Sequence, residues 1–218
     1  MGPHRLGWIK KLISYPLLVC FLFFSTANVS GHEMWTEGHG TTYPVRWSVM
    51  SNGKVNWEIY NLGLGTPYSS YFNTASYAWK NACPNEISAS TTSYYSSANI
   101  VILSPSKDQW KALFEELAPV LLGYCENRTS DGVFLNTLED VKRSNKKISF
   151  AKIYLTPNTN LFSNQTNHVK SVMVHELGHA LGLGHPGSTS IESIMQQNAP
   201  TGWYTPKQHD KQDVASWY

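Results

Sequence analysis

Charge is scarce in this sequence. Asp, Glu, Lys and Arg make up 15% of its 218 residues, well below the roughly 25% of an average soluble domain. Apolar residues reach 41% and aromatics 13%, so the low charge excludes a solvated, disordered chain rather than a folded one. No apolar run reaches the ~20 residues needed to cross a bilayer. The nearest approach, residues 12–24, spans 13. Repeats, low-complexity tracts and linkers are absent as well, and one domain with a sizeable core is expected. Cysteine is limited to positions 20, 83 and 125.

The N-terminus is ordered by type. Arg5, Lys10 and Lys11 occur without an acid, the apolar run follows, and Ser25-Thr26-Ala27 supplies small residues. Basic, apolar and small segments in that order form a secretory signal, read here as residues 1–27. An uncleaved anchor is the competing reading. A lipoprotein signal at Cys20 does not fit, because the apolar run continues past it and Val19 is bulky. The mature chain is therefore expected to be secreted, without stable membrane association, and to act as a monomer. Three of the 17 basic residues lie in the signal, leaving 14 against 15 acids, a net charge of −1 with His neutral. That balance removes any basis for nucleic acid as a partner. In an exported protein the remaining pair, Cys83 and Cys125, reads as a disulfide closing a loop of roughly 40 residues, the alternative being two buried thiols. Asn127-Arg128-Thr129 and Asn164-Gln165-Thr166 are glycosylation sequons if the source glycosylates.

Residues 45–50 and 55–60 alternate in polarity around Asn52-Gly53, a hairpin signal. Thr66-Pro67 resembles an N-cap with proline at the first helical position. Tyr68, Phe72, Ala75, Trp79 and Ala82 follow at helical spacing up to Pro84. Residues 99–103, 120–124 and 148–155 read as strands. Ser106 with Gln109 forms a capping-box pattern ahead of an apolar stripe of Trp110, Leu113, Phe114 and Leu117. Residues 167–181 read as a long helix, and Thr205-Pro206 starts a last one. Strands, helix, strands, helix, irregular segment and helix make an α+β domain, placed at residues 43–218 after a short segment, 28–42. In that short segment a polar tail is expected, with His39 as a candidate temporary metal ligand.

The chemistry concentrates in His175-Glu176-Leu177-Gly178-His179-Ala180-Leu181-Gly182-Leu183-Gly184-His185. On a helix His175 and His179 share one face, so both imidazoles reach one ion at the ~2.0–2.1 Å that zinc requires. Glu176 lies about 100° round the axis, out of line as a third ligand but able to face a water on the metal. Gly182 permits the positive φ that ends a helix and lets His185 return as third ligand. Three neutral nitrogens leave one position open, as a catalytic zinc site must.

These residues resemble the extended zinc signature of the metzincin metallopeptidases, and Ser193-Ile194-Met195 resembles the family's Met-turn. The resemblance implies a metzincin-like (zincin) catalytic domain: a twisted mixed sheet with an active-site helix and cleft, then a small C-terminal subdomain with one helix, Met195 lying beneath the zinc ligands. The short loop from His185 to Met195 and the ending at residues 210–218 look like matrixins. Pro186 looks more like serralysins, but their calcium-binding glycine-rich repeats are absent, so calcium has no support in the sequence. Gln197 stands where astacins place a tyrosine, and Tyr204 is a candidate substitute or wall residue.

The expected function is that of a secreted zinc endopeptidase acting on protein or peptide substrates, with Glu176 as general base. Gln196, Gln197, Pro200 and Tyr204 are expected to line the pocket for the residue after the scissile bond. Residues 131–135 and 148–155 compete as the edge strand on which substrate would lie. Two rivals stand: a protease with Glu192 as third ligand, and a secreted, zinc-containing binding or adhesion module without turnover.

Overall fold

The computed structural model describes residues 46–47, 50–51, 53–135, 147–162, 165–198 and 202–218. The expected signal, the 28–42 segment with His39, and Asn52, Asn164 and Pro200 lie outside the described residues. Among the described residues no helix is long and apolar enough to cross a membrane.

Strand β2 (Lys54–Asn61) is the spine of the sheet. Its alternate residues Val55, Trp57 and Ile59 are buried, the period of two that a half-covered strand requires. A short strand, β1 (Met50–Ser51), folds back on it antiparallel, and Gly53 takes φ of 76° in the turn. The hairpin is shorter than the sequence suggests. Upstream of it, Trp47 bridges Ile148 rather than continuing along β2.

Helices α1 (Tyr68–Ser76) and α2 (Ala78–Ala82) are separated at Tyr77. Tyr68, Phe72, Ala75 and Trp79 are buried as their spacing predicts. Thr66 does not cap: Pro67 holds the N-cap position with no side-chain hydrogen bond. Strand β3 (Ile87–Thr92) returns parallel to β2 on one side, and β4 (Ile100–Leu103) lies parallel on the other. Ile100, Val101 and Ile102 are all buried, as expected of a central parallel strand covered on both faces.

Helix α3 (Lys107–Phe114) opens with the expected capping box. Gln109 N donates to Ser106 Oγ at 3.2 Å, and Ser106 N donates to Gln109 Oε1 at 3.1 Å. Only half of its apolar stripe is buried. The helix stops at Phe114, Glu115 takes φ of 44°, and Leu113 and Leu117 are left 53% and 60% exposed. Strand β5 (Gly123–Arg128) starts three residues later than expected, and β6 (Phe150–Leu155) inserts between it and β4. The order is therefore β3-β2-β4-β6-β5, with β5 alone antiparallel among these five strands and on the edge. Neither expected edge strand holds that place. Residues 148–155 supply the interior strand β6, and residues 131–135 touch only the far end of β5 through the Arg128–Phe134 bridge.

Helix α4 (Gln165–Ala180) packs on α1, α2, β5 and β6, and α5 (Gln208–Trp217) closes the chain. Val169, Val172, Met173, Val174, Leu177 and Ala180 are all buried, and so are the polar residues His168, Ser171, His175, Glu176 and His179; a helix buried on nearly every side is a core helix. The result is the expected α+β metzincin architecture, a mixed sheet with a central helix under it and one C-terminal helix.

The expected disulfide is absent. Cys83 and Cys125 are free and buried. Cys83 ends α2 near Glu86 and the α5 residues Asp210 and Lys211, whereas Cys125 stands in β5 near Glu176 and Glu126. Burial pushes the Cys83 thiol up to about 12 and Cys125 well above its usual range, so both stay protonated and unreactive.

Candidate metal centre and active-site cleft

One face of α4 carries His168, Val172, His175, Glu176 and His179, recurring every three or four residues. All five line a cleft of about 460 Å³. Its opposite wall is the segment 120–125, which leads into β5.

Three imidazoles converge in this cleft. The ring centroids of His175 and His179 are 4.7 Å apart, and His185 lies 5.2 Å and 4.9 Å from them. One ring nitrogen from each lies within 4.8 Å of the others, and the Nε2 atoms of His175 and His185 are 3.3 Å apart. Backbone carbonyls fix the tautomers. His175 Nδ1 is 2.9 Å from Ile194 O, and His179 Nδ1 is 2.7 Å from Leu183 O. A carbonyl only accepts, so each Nδ1 carries the proton and each Nε2 presents its lone pair to the cluster.

The chain reverses after α4 through a Schellman motif. Gly182 takes φ of 88°, Gly182 N donates to His179 O at 2.9 Å, and Leu183 N donates to Gly178 O at 3.1 Å. This turn delivers Leu183 O to His179 and brings His185 round to the ion side. A helix end leaves carbonyls unpaired, and here distant side chains cap them. Asn127 Nδ2 donates to His179 O, Trp47 Nε1 to Ala180 O and Tyr218 OH to Leu181 O, at 2.9, 2.6 and 2.7 Å. The Asn127 amide is thus committed within the core, which closes that sequon to glycosylation.

Below the cluster, the turn at Ser193-Ile194-Met195 is clamped to α5 by Asp210, a fully buried carboxylate. Asp210 accepts from Ser193 Oγ at 2.5 Å, Ile194 N at 3.0 Å and Lys207 N at 2.6 Å. Met195 is buried against Gly178, where a Cβ would overlap its sulfur and the Trp79 ring.

Glu176 is buried beside the first two imidazoles of the cluster. A Cβ on Gly123 would come within 2.5 Å of its Oε1, so only glycine lets the strand pass this close. Its Oε2 has no protein partner, and burial pushes the carboxyl up from 4.5 to about 8. Three converging imidazoles, two of them with oriented lone pairs, a cleft beside them and an unpartnered buried carboxylate oxygen fit a zinc ion with one exchangeable position.

The expected pocket residues divide. Gln197 lines the cleft with Asn198. Gln196 turns away, because its amide donates to Ile191 O and Ser188 O within the loop. Tyr204 stands outside the cleft, 38% exposed under Lys170 Nζ at 4.5 Å, and Pro200 is outside the described residues. Sequence reasoning missed Gly123, Asn127 as a helix cap, Asp210 and His168. Of these only His168 left a signal, its spacing of seven residues from His175 on one helix.

The family model for matrixins matches residues 32–218. No curated protein sequence matches the chain. Among solved structures, one described as the structure of myroilysin aligns at 13% identity with a TM-score of 0.40, covering 76% of this chain and 82% of its own.

Proposed function

The chain belongs to the matrixin family of metzincin metallopeptidases, and from that membership we propose that it is an exported endopeptidase in which His175, His179 and His185 hold the zinc and Glu176 is the general base. As a matrixin it is a zinc metallopeptidase acting on peptide or protein substrates. The family match covers residues 32–218, which leaves residues 1–27 to the signal reading and takes in part of the 28–42 segment along with the catalytic domain proposed over 43–218.

One observation carries the assignment: two tautomer-fixed imidazoles, His175 and His179, meet a third, His185, where an unpartnered oxygen of Glu176 lies in the same cleft. Zinc bound there would lower the pKa of a water towards ~7 and polarise the scissile carbonyl. Glu176 takes the proton of the attacking water as the new C–O bond forms. It returns that proton to the amine as the C–N bond breaks. Gly123 holds the strand close enough to screen this carboxylate from bulk water. Strand β5 is the edge strand of the sheet and its first residues, 123–125, line the cleft, so it is the edge on which an extended substrate would add.

Glu176→Ala tests this reading. The variant should bind zinc in the wild-type ratio, measured by metal analysis after dialysis, and lose at least ~10²-fold in casein cleavage. Retained turnover would refute the base assignment. A wild-type chain that binds zinc and peptides without cleaving them would establish the binding-module alternative.

A further inference from the structure

We infer that His168 is the specificity-determining residue of the cleft, donating or accepting a hydrogen bond at the far end of a long, mainly apolar substrate side chain, with tyrosine as the preferred residue. This inference rests on the proposed cleavage reaction for the direction in which substrate lies.

His168 shares the cleft-lining face of α4 with the zinc ligands. It is seven residues before His175, about 10 Å away along the helix axis. Only a side chain that extends well away from the reacting carbonyl can approach it. Its imidazole is 7% exposed, yet neither ring nitrogen has a protein hydrogen-bond partner. A buried donor and acceptor left unmatched destabilises the fold, and native structures rarely carry one without a role. Phe162 packs edge-on against the ring at 5.2 Å between centroids and holds it in place without offering a polar atom. Burial lowers its pKa, so the ring meets substrate as a neutral imidazole with one donor and one acceptor.

The walls between the zinc ligands and this ring define the rest of the ligand. Val172 stands on the α4 side, and Val120, Leu121 and Leu122 on the other. Apolar walls favour an apolar stem, and the neutral ring at the end favours a neutral hydrogen-bonding tip. A charged tip would be desolvated there without a counter-ion. Small side chains do not reach, and leucine or phenylalanine leave the imidazole unpaired. Tyrosine has the reach, the aromatic stem and a phenol able to pair with either nitrogen. Sites that hydrogen-bond a substrate group discriminate well against the analogue lacking it, because the site is then left unsatisfied.

The test uses two peptides identical except for Tyr or Phe after the scissile bond. Zinc-loaded Glu176→Ala protein should bind the Tyr peptide on the order of tenfold more tightly, read by fluorescence titration, and wild-type protein should cleave it with a correspondingly higher kcat/KM. Adding His168→Leu should bring both ratios to within about twofold of unity by improving the Phe peptide and weakening the Tyr peptide. His168→Gln, which keeps a donor and an acceptor, should retain part of the preference and serves if the leucine variant does not fold. Equal Tyr and Phe ratios in the wild type, or ratios unmoved in the folded variant, overturn the inference. Selective binding without any cleavage by the wild type would leave this inference standing and remove the proposed reaction instead.

Discussion

In the C-terminal half of α4 the imidazoles of His175 and His179 are each aimed by a carbonyl from the chain beyond the helix, Ile194 O and Leu183 O. In the N-terminal half the one polar ring facing the cleft, His168, meets no donor or acceptor of the protein. The same helix, presenting the same residue type to the same cleft, thus treats its two ends differently. Groups that must hold an ion need their orientation fixed before anything binds. A group that recognises a substrate can leave its hydrogen bond to the substrate. The sharpest way to test the contrast is to disturb the supports of the first end and leave the second untouched.

The support farthest from the helix is Asp210. It fixes Ile194 N and Ser193 Oγ, and the same turn supplies the carbonyl that aims His175. Asp210→Ala leaves two buried donors, Ser193 Oγ and Ile194 N, and the half-buried Lys207 N without their acceptor. Loss of about 3–5 kcal/mol in unfolding free energy is expected, measured by urea denaturation. Zinc affinity, followed by competition with a chromophoric chelator, should fall about 10- to 100-fold, while the Tyr-to-Phe ratio of the residual activity stays the same. If zinc affinity is unchanged, the aim of His175 does not depend on this clamp and the contrast fails.

These supports also mark where the sequence stopped being legible. The metal centre could be read because its geometry is local. His175 and His179 are one turn apart, and Gly182 announces the reversal that brings in His185. The capping box at Ser106 and the buried faces of β2 and α1 were equally local. What the residues hid depends on long-range contacts. Asn127 looks like a sequon until β5 places its amide under His179 O, 52 positions along the chain. Gly123 is one residue of an expected strand until Glu176 packs against it. The cysteine pair looked like a disulfide because two cysteines in an exported chain usually join, and nothing in the sequence reveals that each is buried among different neighbours. Gln196 and Gln197 are adjacent and alike, yet loop hydrogen bonds turn one away from the cleft that the other lines.

A smaller effect probes the carboxylate between the two ends. In zinc-free protein, burial pushes Glu176 up to about 8, whereas in the unfolded chain it titrates near 4.5. Between those values the folded state keeps a proton that the unfolded state has released, so stability falls as pH rises through that window. Below 4.5 both states are protonated and above 8 both are ionised, so the slope vanishes on either side. Glu176→Gln removes the titration. Its zinc-free stability relative to wild type should therefore grow by about 3–4 kcal/mol from pH 5 to pH 8, read from urea curves at both pH values. A constant difference between the two proteins would mean that the carboxylate is solvated in the zinc-free state.

The smallest expected effect concerns Tyr204, which sequence position alone would put in the cleft wall. Its ring is under Lys170 Nζ on the exposed side of the helix. A cation–π contact at such a surface is worth about 0.5–1 kcal/mol, and an exposed tyrosine adds little else. Tyr204→Ala should lower stability by no more than about 1 kcal/mol, and it should leave zinc content and the Tyr-to-Phe ratio as they are, with kcat/KM within about twofold of wild type, a change worth under ~0.5 kcal/mol in the barrier. A tenfold fall in kcat alone would require the ring to contact the substrate at the reacting carbonyl. The loop at 202–204 would then have to close over the cleft during turnover, adding to it a polar group fixed neither by the resting protein nor by the far end of α4.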